Sequence, residues 1–476
     1  MSLIPKPSLS AVPTAPRFGR SSPWVTLIIV ALAIPTIASI WIGPIRVSPY
    51  KAVLIASLFY TLPKIVARPT LIDVLVLVCA LLHPIALAVH HDALIALEGG
   101  GSLFLELFGS YCLGRVFITD LPRYIAFARS LGIMVTILAI VGVAESLMGS
   151  AFLMKLVHSL FGSSFQSPME PRFGFTRAYT SFDHPILWGL IASAPISMNL
   201  GIASISRYRR SSLIIACGCL LGTVTSISTG PLAGVMAQFT ILGWRVITPR
   251  TRARWLLLFG LLSFGYIVIG LLSNRSGLRV LLSYLTFSPS TANTRLIIWE
   301  WGFWHNAVEH PLLGIGRTQW VRPPWMKSDS MDNFWLVTMV THGIPSAIAL
   351  ILAVGLSIRR AFVSAATSRD WLVLGWIASM MGLAVAAATV HLWNHAFAMF
   401  GLTLGAGGWF ATWHPASTTS AVRPVGTGAA TQRHAASRAN RRSGDRMAAL
   451  DGDAQCSSQT NFRSQGESRP EVDYSK

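Results

Sequence analysis

Charged side chains are scarce in this sequence. Asp, Glu, Lys and Arg make up 12% of the 476 residues, whereas 52% are hydrophobic. A soluble domain carries about 25% charged residues, so the composition excludes an ordinary soluble protein and indicates a membrane protein. The formal net charge is nevertheless +19. Because the basic residues lie between hydrophobic runs and in the C-terminal tail, and do not form a basic face, we do not expect nucleic acid as a partner.

Several chemical signatures are also missing from the sequence. The five cysteines lie in apolar segments, apart from Cys456 in the tail, so no disulfide framework is expected. There is no phosphate-binding loop and no dinucleotide fingerprint. The carboxylates of the segments 149–184 and 274–332 form no Asp-x-Asp pair, and no two histidines four residues apart enclose a glutamate. We therefore predict no metal site and no cofactor.

The sequence contains many apolar runs that are long enough to span a membrane. A bilayer is crossed by about 20 apolar residues in a helix, and such runs recur up to residue 413. They predict an all-α polytopic membrane protein with about twelve spans, between a tail at 1–22 and a disordered basic tail at 415–476. The membrane domain is then 23–414. The predicted spans are 24–43, 50–66, 71–90, 94–118, 126–148, 185–203, 211–229, 231–248, 255–273, 333–357, 371–390 and 395–413.

The distribution of basic residues predicts the orientation. Loops on the cytoplasmic side are enriched in Lys and Arg, and this rule places both termini in the cytoplasm. Two loops, 149–184 and 274–332, then lie outside, and the second falls between spans 9 and 10. Both outside loops carry arginines against the insertion preference, which indicates a function there.

The long loop 274–332 has the features of an ordered functional segment. Loops this long are usually functional or disordered, and its tryptophans and Pro/Gly punctuation argue against disorder. Helical spacing of apolar residues predicts a helix over 293–309. Trp299 on that helix is either a membrane-interface anchor or a platform for a sugar ring.

The arginines of the two outside loops predict an anionic ligand. A guanidinium group stays charged and binds phosphate bidentately. The alternative is that these side chains pair with lipid headgroups or with neighbouring carboxylates. The arginines considered are Arg172 and Arg177 in the first loop and Arg275, Arg295, Arg317 and Arg322 in the second.

The order of several short motifs resembles a known family. Arg172-x-Gly174-x-x-Arg177-Ala178 is followed by His184-Pro185, then by Arg295 and Trp299, by His310-Pro311-x-x-Gly314-x-Gly316, and by Asp332-Asn333 before an apolar span. This series is similar to the O-antigen ligase/polymerase family of bacterial inner-membrane proteins, which includes exopolysaccharide polymerases. That family has twelve spans, both ends inside and a large outward loop between spans 9 and 10. The ligases commonly carry His-Asn where this chain has Asp332-Asn333.

The resemblance implies a metal-independent glycosyltransferase at the periplasmic face of the inner membrane. It would polymerise lipid-linked oligosaccharide repeat units into surface polysaccharide or exopolysaccharide. The donor would be an undecaprenyl-pyrophosphate-linked glycan and the acceptor another glycan. Membrane lipids and other polysaccharide assembly proteins are the remaining partners that it implies.

Roles for individual residues follow from the resemblance and from side-chain chemistry. Arg177 and Arg295 would stabilise the departing pyrophosphate. Asp332 would be the general base, with Glu309, Asp183 and His310 as further candidates. Asp332 has a second interpretation, the N-cap of the tenth span, and His184 and His310 are open to purely structural interpretations. The predicted substrate-binding residues are Arg172, His184, Trp299, His310, Arg317, Arg322 and Asn333.

Three other functions stay open at this point. One is ligation of glycan to lipid A core or to another acceptor. Another is a transporter or flippase of lipid-linked sugars, which would place its polar groups near the middle of the bilayer. The predicted spans hold few charges, chiefly Asp73, Glu106 and Glu145, which favours an enzyme. The third is a non-catalytic assembly subunit.

Overall fold

The computed structural model describes residues 22–43, 45–166, 170–251, 253–273, 289–326, 328–366 and 371–411. The predicted terminal tails lie outside these described residues, apart from residue 22, and so do Arg275, Arg279 and Lys327 of the long loop.

Within the described residues, the regular secondary structure is helical apart from one short hairpin. The hairpin pairs β1 (Ile40–Ile42) with β2 (Ile45–Val47) in antiparallel fashion. The helices are α1 (Pro23–Leu32), α2 (Pro49–Ala67), α3 (Leu71–His90), α4 (Ala93–Phe117), α5 (Leu121–Met148), α6 (Phe152–Leu160), α7 (Pro185–Ile202), α8 (Arg209–Thr225), α9 (Thr229–Ile247), α10 (Arg254–Leu272), α11 (Pro289–Gly302), α12 (Phe334–His342), α13 (Ile344–Ala366), α14 (Trp371–Ala387) and α15 (Asn394–Ala406).

Length and composition qualify several of these helices as membrane spans. Within the described residues, 7 helices are long and apolar enough to cross a bilayer, namely α2, α3, α4, α5, α7, α10 and α13. The prediction of a helical membrane protein is confirmed, whereas the count of twelve spans and the orientation remain predictions. The helix in the predicted span 24–43 ends at Leu32, and the predicted span 333–357 is divided at Gly343, whose φ is +90°. The predicted loop helix 293–309 is present and begins earlier, at Pro289.

Helix α7 lies at the centre of the packed helices. In its apolar stretch 89% of the residues are buried, and it packs against α5, α8, α9 and α14. The Trp188 indole N–H donates to Thr225 Oγ1 at 3.0 Å, and the Asn199 amide donates to the Ala128 carbonyl at 2.9 Å. Gly201 and Gly375 face each other where α7 and α14 approach most closely, as small residues do between membrane helices. The start of α7 at His184 is therefore held rigidly.

Segment 311–316 of the long loop docks on the break between α12 and α13. The Ile315 N–H donates to the Val340 carbonyl at 2.8 Å, and the Ile344 N–H donates to the Pro311 carbonyl at 2.8 Å. A side chain at Gly314 or Gly343 would collide with backbone atoms of the opposite segment, and both glycines have positive φ. The His-Pro-x-x-Gly-x-Gly motif thus joins the long loop to the membrane helices.

Candidate functional site

Three predicted arginines meet on one short turn. The turn Ser226–Thr229 joins α8 to α9, and Ile227 within it has a φ of +44°, which non-glycine residues seldom adopt. Arg177 donates to the Ser226 carbonyl at 3.3 Å and to Ser228 Oγ at 2.7 Å. Arg172 donates to the Ile227 carbonyl at 3.2 Å, and Arg295 donates to Thr229 Oγ1 at 3.4 Å. We call Arg172, Arg177 and Arg295 the arginine cluster.

A buried carboxylate fixes the loop that carries Arg177. Glu145, near the end of α5, accepts hydrogen bonds from the N–H groups of Tyr179 at 2.9 Å and Thr180 at 2.8 Å. The Ala178 N–H donates to the Thr225 carbonyl at 3.0 Å. The backbone on the C-terminal side of Arg177 is therefore tied to both α5 and α8.

Two arginines of the cluster are buried, whereas Arg172 is exposed. Arg177 is 4% exposed and Arg295 is 9% exposed. Burial, followed by repulsion from Arg172, lowers the pKa of Arg177 to about 10, so the side chain remains charged at neutral pH. Burial also lowers the pKa of Arg295, and the Asp332 carboxylate acts in the opposite direction. The buried Arg295 Nε–H has no hydrogen-bond partner among the described residues, as expected of a donor that awaits an anionic ligand.

Asp332 lines a cavity beside this cluster. The cavity measures about 430 Å³, and we call it the first cavity. Asp332 is half-buried, and its Oδ1 accepts a hydrogen bond from Ser330 Oγ at 2.9 Å. The Asp332 carboxylate acts to raise the pKa values of Arg295, His184 and His391, so it lies near both the cluster and the cavity wall. The side chains that line the first cavity include His184, Thr318, Trp320, Asp332, Thr341, His391 and Trp393.

The N-cap of α12 is Asn333 and not Asp332. Asn333 Oδ1 accepts from the Leu336 N–H at 3.0 Å, and its Nδ2 donates to the Ala388 carbonyl at 2.7 Å. The interpretation of Asp332 as a helix cap is therefore wrong, since the next residue fills that position. The carboxylate of Asp332 is left to face the cavity, while the side chain of Asn333 is buried and holds two backbone groups.

His184 faces the first cavity as a hydrogen-bond donor. Its Nδ1 accepts the Ile186 N–H at 3.1 Å and so caps the start of α7. Burial, followed by repulsion from Arg177, lowers the pKa of His184 to about 4, although Asp332 opposes this effect. The ring is neutral at pH 7, and because Nδ1 is an acceptor the proton lies on Nε2. His184 can therefore donate to a bound oxygen at neutral pH, which favours its predicted binding role over a role as a base.

His391 is a member of the site that the sequence reasoning missed. It precedes α15, lines the first cavity, and stacks on Trp393 with ring centroids 5.8 Å apart. Burial lowers its pKa to about 4, against the influence of Asp332. Its Nδ1 has no hydrogen-bond partner among the described residues. The available signal is the pair His391 and His395, which stands between two apolar segments of the sequence.

The remaining predicted residues lie away from the first cavity. Arg317 is exposed and borders a neighbouring cavity. Arg322 is half-buried and does not line the first cavity. Trp299 is 37% exposed and packs against Phe303 with centroids 6.4 Å apart. His310 lies exposed in the turn that opens the docked segment.

The two other carboxylates considered as bases are placed differently from Asp332. Glu309 is exposed and does not line the first cavity. Asp183 accepts a hydrogen bond from Thr36 Oγ1 at 2.7 Å and also lies outside the cavity lining. Asp332 is therefore the best placed of the proposed bases. Within the described ranges, no group of three or more His, Cys, Asp or Glu side chains has an arrangement that could hold a metal ion.

The site thus places a cluster of cationic donors next to a cavity that is lined by a carboxylate and two neutral histidines. Such a set can bind an anionic group and accept a proton from a nearby hydroxyl. The family suggested by the motifs remains a prediction. No protein-family model matches this chain, and no curated protein was found to be similar to it.

Proposed function

We propose that this protein transfers a glycan from a lipid pyrophosphate to an acceptor hydroxyl, and thereby polymerises lipid-linked repeat units. The observation that carries the proposal is the convergence of the arginine cluster with Asp332 beside one cavity. Undecaprenyl pyrophosphate as the lipid, the periplasmic face of a bacterial inner membrane and a twelve-span arrangement complete the proposal, on the basis of the motif resemblance.

The reaction requires one bond to form and one to break. The acceptor hydroxyl oxygen bonds to the anomeric carbon of the donor sugar. The bond from that carbon to the pyrophosphate oxygen breaks, and the pyrophosphate leaves with the electron pair. The hydroxyl proton passes to the Asp332 carboxylate.

The arginine cluster supplies the electrostatic part of the mechanism. Negative charge grows on the pyrophosphate as the bond breaks, and fixed cations in a site of low polarity stabilise such charge effectively. Arg177 is held by two hydrogen bonds to the turn, so its charge is oriented before the substrate binds. Arg295 contributes a buried Nε–H that has no partner among the described residues. His184 donates through Nε2 to an oxygen of the substrate.

Two of the three carboxylates inside predicted spans, Asp73 and Glu145, are held by structural partners, and for these two the transporter alternative is weakened. Asp73 caps α3 through Thr70 and lies 3.7 Å from the Arg115 guanidinium. Glu145 accepts three backbone N–H groups. A transporter would leave such groups to bind its cargo near the bilayer centre.

The experiment is deletion of the gene followed by restoration with variants. We expect deletion to shorten or remove a surface polysaccharide, as seen in its length distribution on gels. Arg177→Ala, Arg295→Lys and Asp332→Asn should fail to restore long chains, because lysine cannot reproduce the planar guanidinium geometry and asparagine cannot accept a proton. Arg123→Ala is the matched control, since Arg123 is exposed and pairs with Asp120 at the start of α5.

The outcomes separate the alternatives. Restoration of normal chains by all three variants would show that the proposed site is wrong. Unchanged glycans after deletion would refute the function itself. Loss of attachment to the outer acceptor, with chain length preserved, would favour ligation over polymerisation.

A further inference from the structure

A second cavity adjoins the first. It measures about 420 Å³, within the range of about 300–1,000 Å³ that is typical of ligand sites. The residues common to both cavities are Thr318, Val337, Thr341, His391 and Trp393. A ligand whose reacting end lies near Asp332 can therefore extend into the second cavity.

Glu106 on α4 forms the polar end of the second cavity. The residue is 1% exposed. Its Oε1 accepts hydrogen bonds from Tyr50 at 2.9 Å and Ser102 at 3.0 Å, and lies 3.3 Å from Lys51 Nζ. These three contacts are all made by Oε1, and they anchor the carboxylate. Glu106 at the same time lines the second cavity, where a ligand can reach it.

The local shape of α4 places Glu106 at this cavity. The helix widens to five-residue turns at Ala96–Gly100 and again at Leu105–Gly109. Such turns are rare and occur often at functional sites. A side chain at Gly99, in the first wide turn, would collide with the Arg317 guanidinium. The two wide turns thus bring Glu106 and Arg317 to the same cavity.

Aromatic rings complete the lining of the second cavity. Trp393 is half-buried and borders both cavities, and Phe397 lies deeper. The cavity therefore combines the Glu106 carboxylate, the Arg317 guanidinium, hydroxyl groups at Thr338 and Thr341, and aromatic carbon surface. Rings with an apolar face and hydroxyl edges match such a lining.

We infer that the second cavity binds a sugar ring of the acceptor glycan, with a ring hydroxyl donating to Glu106 Oε2. This inference rests on the proposed function, because it assigns the acceptor side of the same site. Glu106 is then a residue that sets acceptor binding and takes no part in the proton transfer.

The test uses purified full-length protein in proteoliposomes that contain the lipid-linked repeat unit as donor. The acceptor is an oligosaccharide of the same glycan, supplied with a series of analogues that each lack one hydroxyl. Transfer to the acceptor and hydrolysis of the donor by water are measured separately. The rate of donor hydrolysis measures the activity of the arginine cluster and Asp332 when no sugar occupies the second cavity.

Glu106→Gln is the principal variant, because glutamine keeps the shape of the side chain and removes its charge. We expect the KM for the acceptor to rise by about tenfold, since hydrogen bonds to charged groups are roughly twice as strong as neutral ones. The kcat and the rate of donor hydrolysis should stay near wild type. One deoxy acceptor should lose affinity with the wild type and lose far less with Glu106→Gln, which is the sign of a direct contact.

Tyr50→Phe is the matched control. It removes a donor to Oε1 and leaves Oε2 unchanged, so a direct role for Oε2 predicts little change in acceptor KM. The inference is overturned if Glu106→Gln keeps the wild-type KM while Asp332→Asn is inactive. It is also overturned if Tyr50→Phe raises the KM as much as Glu106→Gln does. A wild type that neither extends nor hydrolyses the donor would refute the proposed function instead.

Discussion

Asp332 and Asn333 are neighbours with separate tasks, and substitution can separate them. Asn333→Ala removes the cap of α12 and the bond to Ala388, so we expect a loss of about 0.5–2 kcal/mol in unfolding free energy. Asp332→Asn removes the proposed base and should lower transfer by roughly 10²–10⁴-fold with little change in stability. Thermal unfolding in detergent and transfer assays test the pair. Equal thermal stability of Asn333→Ala and wild type would contradict the assignment of the cap.

The buried histidines make stability depend on pH. The pKa of His184 lies at about 4 in the folded protein, against an ordinary value of 6.5. Between these values the unfolded chain binds a proton that the folded protein does not. The contribution of this group to the free energy of unfolding is therefore fully present above pH 6.5 and decreases as the pH falls toward 4. The loss is at most about 1.4 kcal/mol per pH unit for this group. His391 adds an effect of the same sign.

Comparison of melting temperatures at pH 7 and pH 5 measures this dependence. His184→Asn retains a side-chain acceptor for the Ile186 N–H and cannot titrate, so its melting temperature should fall less between the two pH values than that of the wild type. An identical fall in both proteins would show that His184 does not contribute.

At the scale of secondary-structure elements, Glu145 connects α5 to the loop that carries Arg177. Glu145→Ala leaves the N–H groups of Tyr179 and Thr180 without this acceptor. Each buried donor left unsatisfied costs about 1–3 kcal/mol, so we expect the two donors together to cost about 2–6 kcal/mol. We also expect loss of transfer, because Arg177 is displaced. Glu145→Gln, which keeps a carbonyl oxygen there, should retain most of the stability. A stable, active Glu145→Ala protein would show that the loop is held by other contacts.

The contact between segment 311–316 and the α12–α13 break offers a second test at this scale. Gly343→Ala places a methyl group against the Leu312 carbonyl at a residue with positive φ. We expect it to be markedly destabilising, whereas Gly355→Ala on α13 has open space around it and should be neutral or stabilising by up to about 1 kcal/mol. Thermal unfolding of the two variants measures the difference. Similar melting temperatures would contradict the close packing at Gly343.

The sequence predicted that arginines of the two loops converge, but it did not show which arginines take part. Arg172, Arg177 and Arg295 meet because the turn Ser226–Thr229 presents acceptors to all three, and this tertiary feature leaves no periodic pattern. Arg317 has the same chemistry and borders a different cavity. His391 was missed because its neighbours are apolar, and periodicity gives no weight to a single polar residue.

Helix boundaries show the same limit. Asp and Asn are both strong N-caps, so composition could not decide between residues 332 and 333. A hydropathy profile also does not detect the helix break at Gly343, because a single glycine does not lower the apolar content of a span. The helical membrane class was predictable since it depends on average composition, whereas breaks and caps depend on single residues.

At the scale of the whole molecule, apolar side chains cover much of the described surface. None of the residues of α10 is buried, although this helix is among the most apolar of the spans. Its first residues are held by Trp255, whose ring lies 6.0 Å from that of Phe362, and by a hydrogen bond from Trp244 to the Arg254 carbonyl at 2.7 Å. We therefore expect lipid to surround the rest of α10.

When a helix packs against protein at one end only and lipid surrounds the rest, the thickness of the membrane sets its tilt. With 19 residues, α10 is about 28 Å long, close to the thickness of an average hydrocarbon core. A thinner bilayer would tilt it about Trp255, and the chain that leaves its far end leads to α11 and Arg295. We expect transfer to change several-fold between vesicles of short-chain and long-chain lipids, and Trp255→Ala to alter that dependence. Constant activity across thicknesses would contradict this expectation. The acyl-chain length of the host membrane would then help to set the position of Arg295 in the site, a variable that the amino-acid sequence does not itself encode.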